Sequence, residues 1–250
     1  MTVVKVDAGQ GWSWIKDGWR LFIKAPGMWI VMLLIYLGIN IVLSFIPLVG
    51  ALATTLIAPA LVGGMLYGAA SLDRGEDLAI PHLFQAFQNQ GRLGPMLTLG
   101  ALLLGCYIVM GLIVVAVIFG GAIGSGVLSG NLSEEQLMGL ALGSGLIFAL
   151  ILLVLSFFIA MALFYAIPLV MLGGQSPWAA IQSSFSACLT NFLPLLVFGL
   201  IYLGLAFLAL IPLGLGFLVL VPVTFAAIYA SYQEVFPEQG TTQAPSLTKY

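Results

Sequence analysis

Few side chains in this chain could do chemistry, and only one short polar segment brings several of them together. Its 250 residues include 7 Lys and Arg, 9 Asp and Glu, and a single histidine, His82. Three carboxylates, Asp73, Glu76 and Asp77, precede that histidine, and histidine and carboxylate groups are potential metal ligands. Their spacing matches no metal-binding motif, so we interpret the segment as a solvated loop and predict no metal site.

Motifs of other catalytic sites are missing from the sequence. It contains no GxSxG turn, no phosphate-binding loop and no Cys/His pair. The two cysteines, Cys106 and Cys188, are far apart in the chain, and we interpret both as packing residues. We therefore predict that the protein is not an enzyme and has no cofactor. The net charge of -2 leaves no broad basic face, which excludes nucleic acid as a partner.

Long apolar runs separate the polar residues. Residues 136–233 are 98 positions without Asp, Glu, Lys, Arg or His, and about 20 apolar residues suffice to cross a bilayer as a helix. Prolines and glycines divide the apolar runs into six spans, at 26–46, 51–71, 94–121, 133–172, 194–210 and 213–231. The fold class is therefore all-α, a polytopic membrane helical bundle with six transmembrane helices. The fourth span would be about 60 Å long, so we expect its Glu134 end to stand outside the membrane or the helix to bend near Gly143 and Gly145.

Three amphipathic segments precede the three pairs of spans. Apolar side chains recur at helical spacing in each: Trp12, Ile15, Trp19 and Phe22; then Ile80, Leu83, Phe84 and Phe87; then Trp178, Ile181, Phe185 and either Cys188 or Leu189. We predict three surface helices, and hence three copies of one surface helix and two spans, at about 10–72, 78–172 and 176–234. These repeats form a single membrane domain, 1–234, and residues 235–250 form a disordered tail.

A proline lies inside the second span of every copy. Pro59, Pro168 and Pro222 have similar apolar neighbours. Proline is common in membrane helices, so ordinary kinks would explain all three. Alternatively, the carbonyls that they free could form hinges or line a cavity. Asn40 is the strongest polar group within the spans. We interpret its side chain as forming a hydrogen bond between helices, in preference to contacting a substrate.

Basic residues indicate the orientation of the chain. All of them lie in the N-terminal segment, the second-to-third-span loop or the tail: Lys5, Lys16, Arg20, Lys24, Arg74, Arg92 and Lys249. Positive loops stay on the cytoplasmic side, so we predict that both termini and the surface helices face the cytoplasm. We expect the first surface helix to contact anionic lipid headgroups through Lys16, Arg20 and Lys24 together with Trp12 and Trp19.

Several short motifs carry a resemblance to a known family. They are AGQGW at 8–12, YAIPLV at 165–170, SPWAA at 176–180 and ASYQEVF at 230–236. Across nearly its whole length the chain resembles a family of uncharacterised proteobacterial inner-membrane proteins, which implies a bacterial inner-membrane location and no site residues. The layout is more distantly similar to YciC-type proteins and to the membrane domain of some glycerophosphodiester phosphodiesterases. The carboxylate and histidine ligands of that phosphodiesterase are absent, so its activity is not implied.

Two classes of function remain open at this point. The first is a scaffold or accessory subunit whose surface helices bind membrane lipids, a protein partner or a second copy of the chain. The alternative is a transporter or facilitator for lipids or uncharged hydrophobic solutes, with the proline-broken helices as hinges.

Overall fold

The computed structural model describes residues 2–124 and 134–237, without the side chains of 90, 118–124, 134–144 and 147. The described residues form helices and no strand, which confirms the all-α class. In chain order the helices are α1 (Gln10–Phe22), α2 (Pro26–Ser44), α3 (Val49–Asp73), a 3₁₀ helix (Ile80–Phe84), α4 (Gln85–Gln88), α5 (Gln90–Gly124), α6 (Glu134–Phe164), α7 (Ala166–Met171), α8 (Pro177–Thr190), α9 (Phe192–Leu210) and α10 (Phe217–Val235).

Six stretches of helix are long and apolar enough to cross a membrane, as the sequence predicts. They are Pro26–Ser44, Val49–Asp73, Gly91–Val117, Phe148–Met171, Phe192–Leu210 and Phe217–Val235. Each has at least 18 residues and an 18-residue window of high mean hydropathy, which is the length that crossing hydrocarbon requires. A helix can cross because it satisfies its own backbone hydrogen bonds. Residues 2–124 and 134–237 therefore form an all-α structure with six candidate transmembrane helices.

Two helices form the centre of the bundle. Other parts of the protein bury 44% of the most apolar 18-residue stretch of α3 and 50% of that of α10. The corresponding share for α5 is 6%. α3 packs on α2, α5, α7 and α10, while α10 also contacts α1, α2 and α9. Small residues allow these close approaches: a Cβ at Gly100 of α5 would clash with the Leu56 backbone of α3. The outer helices consequently expose long apolar sides.

The three predicted surface segments pack in a cyclic order. The 3₁₀ helix and α4 lie on α3, α8 lies on α6 and α7, and α1 lies on α10 and α9. The second and third surface segments thus each contact the second span of the preceding copy. The first surface segment contacts the second span of the last copy. A threefold repeat would produce this order, and the repeat itself stays a prediction.

Several local predictions differ from the structure. The second surface segment is a 3₁₀ helix and one α-helical turn instead of a continuous amphipathic α-helix. The long fourth span is helical through Gly143 and Gly145 and is interrupted at Tyr165, before Pro168. α8 begins at Pro177 as predicted, because proline suits the first position of a helix. Most of the predicted tail, from 238 onward, lies outside the described residues.

The N-terminal segment is tied to the end of α8. The backbone N–H of Val6 donates to Asn191 Oδ1 at 2.9 Å, and Asn191 Nδ2 donates to the carbonyl of Val4 at 3.0 Å. The Val4 N–H donates to the carbonyl of Val235 at 3.0 Å. Asn191 is fully buried, so its amide satisfies two backbone groups that would otherwise lie unpaired beside it.

Candidate functional site

The first candidate site is α1. Some side chains of its apolar stripe pack against the protein, and others are exposed on its surface. Ile15 and Phe22 are buried against the protein, whereas Trp12 and Trp19 are each 50% exposed. The buried side of the helix also includes Gly11, Trp14, Gly18 and Leu21. The apolar stripe therefore does not coincide with the buried side of α1, which contains two glycines.

Glycine is what brings α1 onto its neighbours. A Cβ at Gly11 would meet the backbone N of Phe198 at 2.7 Å, and one at Gly18 would meet the backbone N of Ala227 at 2.8 Å. These distances leave no room for a side chain, so α1 crosses α9 and α10 at backbone contact. Hydropathy periodicity could not find this face, since glycine adds almost nothing to an apolar stripe.

Two of the three basic residues near α1 have partners within the protein. Lys24 Nζ donates to the carbonyl of Leu72 in the last turn of α3 at 2.9 Å, where a cation also favours the helix dipole. Arg20 pairs with Asp17 at 3.3 Å on the exposed surface. Among the described residues Lys16 has neither a hydrogen bond nor an ion pair. Arg92 caps α7 as Lys24 caps α3, by donating to the carbonyl of Val170 at 3.1 Å.

A lateral apolar groove lies between α1 and the α9–α10 hairpin. Its volume is about 510 Å³, within the roughly 300 to 1,000 Å³ that ligand pockets occupy. Residues from all three helices line it, including Trp12, Lys16, Trp19, Leu205, Val219 and Val223. Lys16 is its one charged lining residue. The groove thus combines an apolar wall with one cation and two exposed indoles at its rim.

A second groove, of about 360 Å³, lies between α6, α8 and α9. Phe157, Met161 and Leu196 are among its apolar lining residues, and Cys188 contributes a thiol. Burial raises the pKa of Cys188 to about 12, so the thiol stays protonated and its Sγ lies 3.5 Å from the carbonyl of Met161. Cys188 is a buried packing residue, as predicted, whereas Cys106 is exposed on α5.

A polar pocket of about 360 Å³ joins the charged ends of α1, α3 and α10. Tyr229 Oη donates to Asp73 Oδ2 at 3.1 Å and accepts from Gln233 Nε2 at 2.7 Å. Trp14 Nε1 donates to Glu234 Oε2 at 2.6 Å. The Tyr229–Asp73 and Trp14–Glu234 bonds join residues more than 150 positions apart in the chain, and sequence patterns do not predict them. No group of three metal-ligating side chains occurs within the described ranges.

The fourth span is broken by a side chain from α8. Ser184 Oγ accepts a hydrogen bond from the Tyr165 N–H at 3.0 Å and donates to the Met161 carbonyl at 2.7 Å. In an unbroken helix that N–H and that carbonyl would bond to each other. The Ser184 hydroxyl takes the place of this backbone hydrogen bond, and Pro168 follows one turn later. Together they account for the interruption of the helix. Hydropathy periodicity does not identify Ser184 as the residue that breaks this helix.

The remaining predicted residues lie away from these cavities. Pro59, Pro168 and Pro222 are buried in α3, α7 and α10, and none of them lines the two grooves or the polar pocket. Asn40 Nδ2 donates to the carbonyl of Tyr36 at 2.7 Å. That bond lies within α2, where the sequence analysis expected a bond between helices. A hinge or lining role for these four residues stays a prediction.

Comparison with known proteins identifies a family but no activity. A family model described as "Protein of unknown function (DUF975)" matches residues 21–238. A curated relative from Burkholderia thailandensis, named as a probable inner membrane protein, is 26% identical over 104 residues. That match covers 41% of this chain and 38% of the relative, so the chain spans about two fifths of the relative's length. No solved structure matches. The resemblance to YciC-type proteins stays an expectation.

Proposed function

We propose that this chain, which belongs to the DUF975 family, is a non-enzymatic inner-membrane protein that engages lipid through α1 as a scaffold or accessory subunit. Six apolar helices support the membrane setting, and the name of the Burkholderia relative supports the inner membrane. No catalytic motif is found in the sequence, and no metal-ligating group of three occurs in the described part of the chain.

The exposed aromatic and basic flank of α1 carries the proposal. Trp12 and Trp19 are half exposed beside Lys16, and tryptophan is enriched at membrane–water interfaces, where its amphipathic ring suits the headgroup level. A lysine at that level can extend its ammonium to lipid phosphate while its stem stays on apolar surface. α1 would then lie in the corner between the bundle and the lipid, with different sides facing each.

Charge distribution supports a cytoplasmic position for this helix. The described basic residues belong to the N-terminal segment, the loop between α3 and α5, or the first turn of α5. The described turns at the opposite ends of the spans, 45–48 and 211–216, contain no charged residue. By the positive-inside rule, this distribution supports a cytoplasmic position for α1 and both termini. Reporter fusions at the two ends should both report the cytoplasm, and opposite locations would contradict the topology.

Fluorescence quenching tests the position of α1. Single-tryptophan variants that retain only Trp12, Trp19 or Trp14 would be reconstituted in vesicles with lipids brominated near the headgroup. We expect strong quenching of Trp12 and Trp19, and weaker quenching of Trp14, which is buried. Quenching of Trp12 and Trp19 by aqueous acrylamide but not by brominated lipid would contradict the proposal. The scaffold role itself predicts a stoichiometric lipid or protein after purification in mild detergent.

The break at Tyr165 favours a second candidate, a facilitator for lipids or uncharged hydrophobic solutes. Transporters often use interrupted helices near their binding sites, and here a hydroxyl and a proline interrupt the fourth span. Lipid scrambling by the chain in proteoliposomes, lost in Pro168→Ala, is the expected result for a facilitator. Absence of scrambling by the unmodified chain would remove this candidate.

A further inference from the structure

The groove beneath α1 is shaped to hold a chain-like apolar group. It extends along α10 from Val223 to Gly216, about 10 Å at the helical rise of 1.5 Å per residue. α1 covers one end of the groove. At the other end α9 and α10 are in contact, because a Cβ at Gly216 would lie 2.5 Å from the Cα of Ala209. The groove opens sideways, past two tryptophans that are half exposed.

Charge at the rim indicates the chemistry of the occupant. Lys16 lines the groove and has no bonded partner in the described part of the chain, whereas Arg20 is neutralised by Asp17 and Lys24 caps α3. No carboxylate lines the groove. A phosphate would therefore meet a cation there, while an ammonium or choline group on the same lipid would find no anion.

We propose that this groove binds one anionic phospholipid, with an acyl chain against α9 and α10 and its phosphate beside Lys16. The inference rests on the proposed function, because α1 must lie at the membrane surface for a lipid to enter from the bilayer. Trp12 and Trp19 line the same groove, and each carries an indole N–H, a donor for the phosphate and ester oxygens of a lipid.

Two charge variants of α1 separate a built site from general attraction to an anionic surface. Lys16→Gln and Arg20→Gln remove the same charge from exposed positions one helical turn apart, but Arg20 lines the polar pocket and not the groove. The full chain would be reconstituted with equal phosphatidylglycerol and phosphatidylcholine and extracted in mild detergent. Native mass spectrometry would then count the lipids retained.

We expect the unmodified chain to retain one phosphatidylglycerol in preference to phosphatidylcholine. Lys16→Gln should lower that occupancy by about fivefold, the effect of one basic residue near a membrane surface, and Arg20→Gln should lower it less than about twofold. Val219→Trp, which fills the groove, should reduce retention of phosphatidylglycerol, and Leu203→Trp, an exposed α9 position outside the groove, should not.

Equal losses in the two charge variants, or no loss in Lys16→Gln, would overturn the site. Tryptophan quenching in the same Lys16→Gln protein distinguishes the specific lipid site from the surface position of α1. If Trp12 and Trp19 remain quenched by brominated lipid while retention does not depend on Lys16, the specific site is wrong and the surface position of α1 stands. If neither indole is quenched in the unmodified chain, the proposed function fails as well.

Discussion

The hydroxyl of Ser184 accepts a 3.0 Å hydrogen bond from the backbone N–H of Tyr165, the residue at which the fourth span is interrupted. The same hydroxyl donates to the carbonyl of Met161 at 2.7 Å. A surface helix thus supplies a polar group that allows a membrane helix to break within the bundle. Both Ser184 and Tyr165 are fully buried, so the bond is made away from water.

Ser184→Ala should destabilise the protein by about 1 to 3 kcal/mol, because it leaves the buried Tyr165 N–H without a partner and the Met161 carbonyl with only the weak Cys188 thiol donor. Pro168 has no N–H to donate to the carbonyl of Phe164, and its ring crowds that carbonyl, so the helix is also weakened one turn later. The measurement is reversible unfolding in mixed micelles. Ser186→Ala, at an exposed position of the same helix, is the control and should change stability by less than about 0.5 kcal/mol. If Ser184→Ala has unchanged stability, the Tyr165 N–H and the Met161 carbonyl must bond to each other in the variant.

Two asparagine substitutions should differ sharply. Asn191→Ala leaves the Val6 N–H and the Val4 carbonyl unpaired, and should cost at least about 1 to 3 kcal/mol and release amide exchange protection in the N-terminal segment. Asn40→Ala removes a bond that returns to its own helix, and should cost less than about 0.5 kcal/mol. Unfolding and hydrogen exchange would measure both. A large effect at Asn40 would instead support the predicted hinge or lining role.

Glycine substitutions test the contact between α1 and α10. Gly18→Ala places a methyl group 2.9 Å from Ala227 Cβ, and such overpacking should cost about 1 to 3 kcal/mol. Gly38 of α2 has no neighbouring atom within 4 Å of an added Cβ. Gly38→Ala should therefore leave stability unchanged or raise it by up to about 1 kcal/mol, since alanine favours helix. Similar thermal midpoints for the two variants would show that α1 is not held by backbone contact.

Acidification should weaken the segment around His82. Burial lowers the pKa of His82 below its usual 6.5, Arg74 lowers it further, and Glu76 opposes the shift. The neutral imidazole also accepts a 3.3 Å hydrogen bond from the Ala79 N–H through Nδ1. Because the folded state disfavours the protonated form, the stabilisation is complete above pH 6.5 and is lost as the pH falls through that value towards the lowered pKa.

The unfolding free energy should therefore decrease as the pH falls below about 6.5, and this decrease should be smaller in His82→Gln. A pH profile that is identical in the two proteins would contradict the assignment to His82. The contribution of Glu76 to stability changes in a different pH range. Its hydrogen bond to Arg74 lowers its pKa from 4.5, so its contribution is present above pH 4.5 and is lost only in more acidic solution.

The sequence by itself determined the six spans, because hydropathy over about 20 residues depends on composition alone. The starts of α2 at Pro26 and α8 at Pro177 were also predictable, since proline fixes a backbone angle that suits the first helical turn. The position of the break in the fourth span was not. Gly143 and Gly145 are the local helix-weakening residues, but the interruption occurs at Tyr165, where a distant serine reaches the backbone.

Only the tertiary structure decided which side of each surface helix faces the protein. Apolar periodicity selects Trp12, Trp19 and Trp178, yet these side chains are exposed, and the buried faces include Gly11, Gly18 and Ala180. A helix in a corner between a bundle and lipid has two apolar surroundings, and a hydropathy stripe cannot distinguish them. Small residues mark the protein side because they let backbones approach, and that effect exists only once the partner helix is in place.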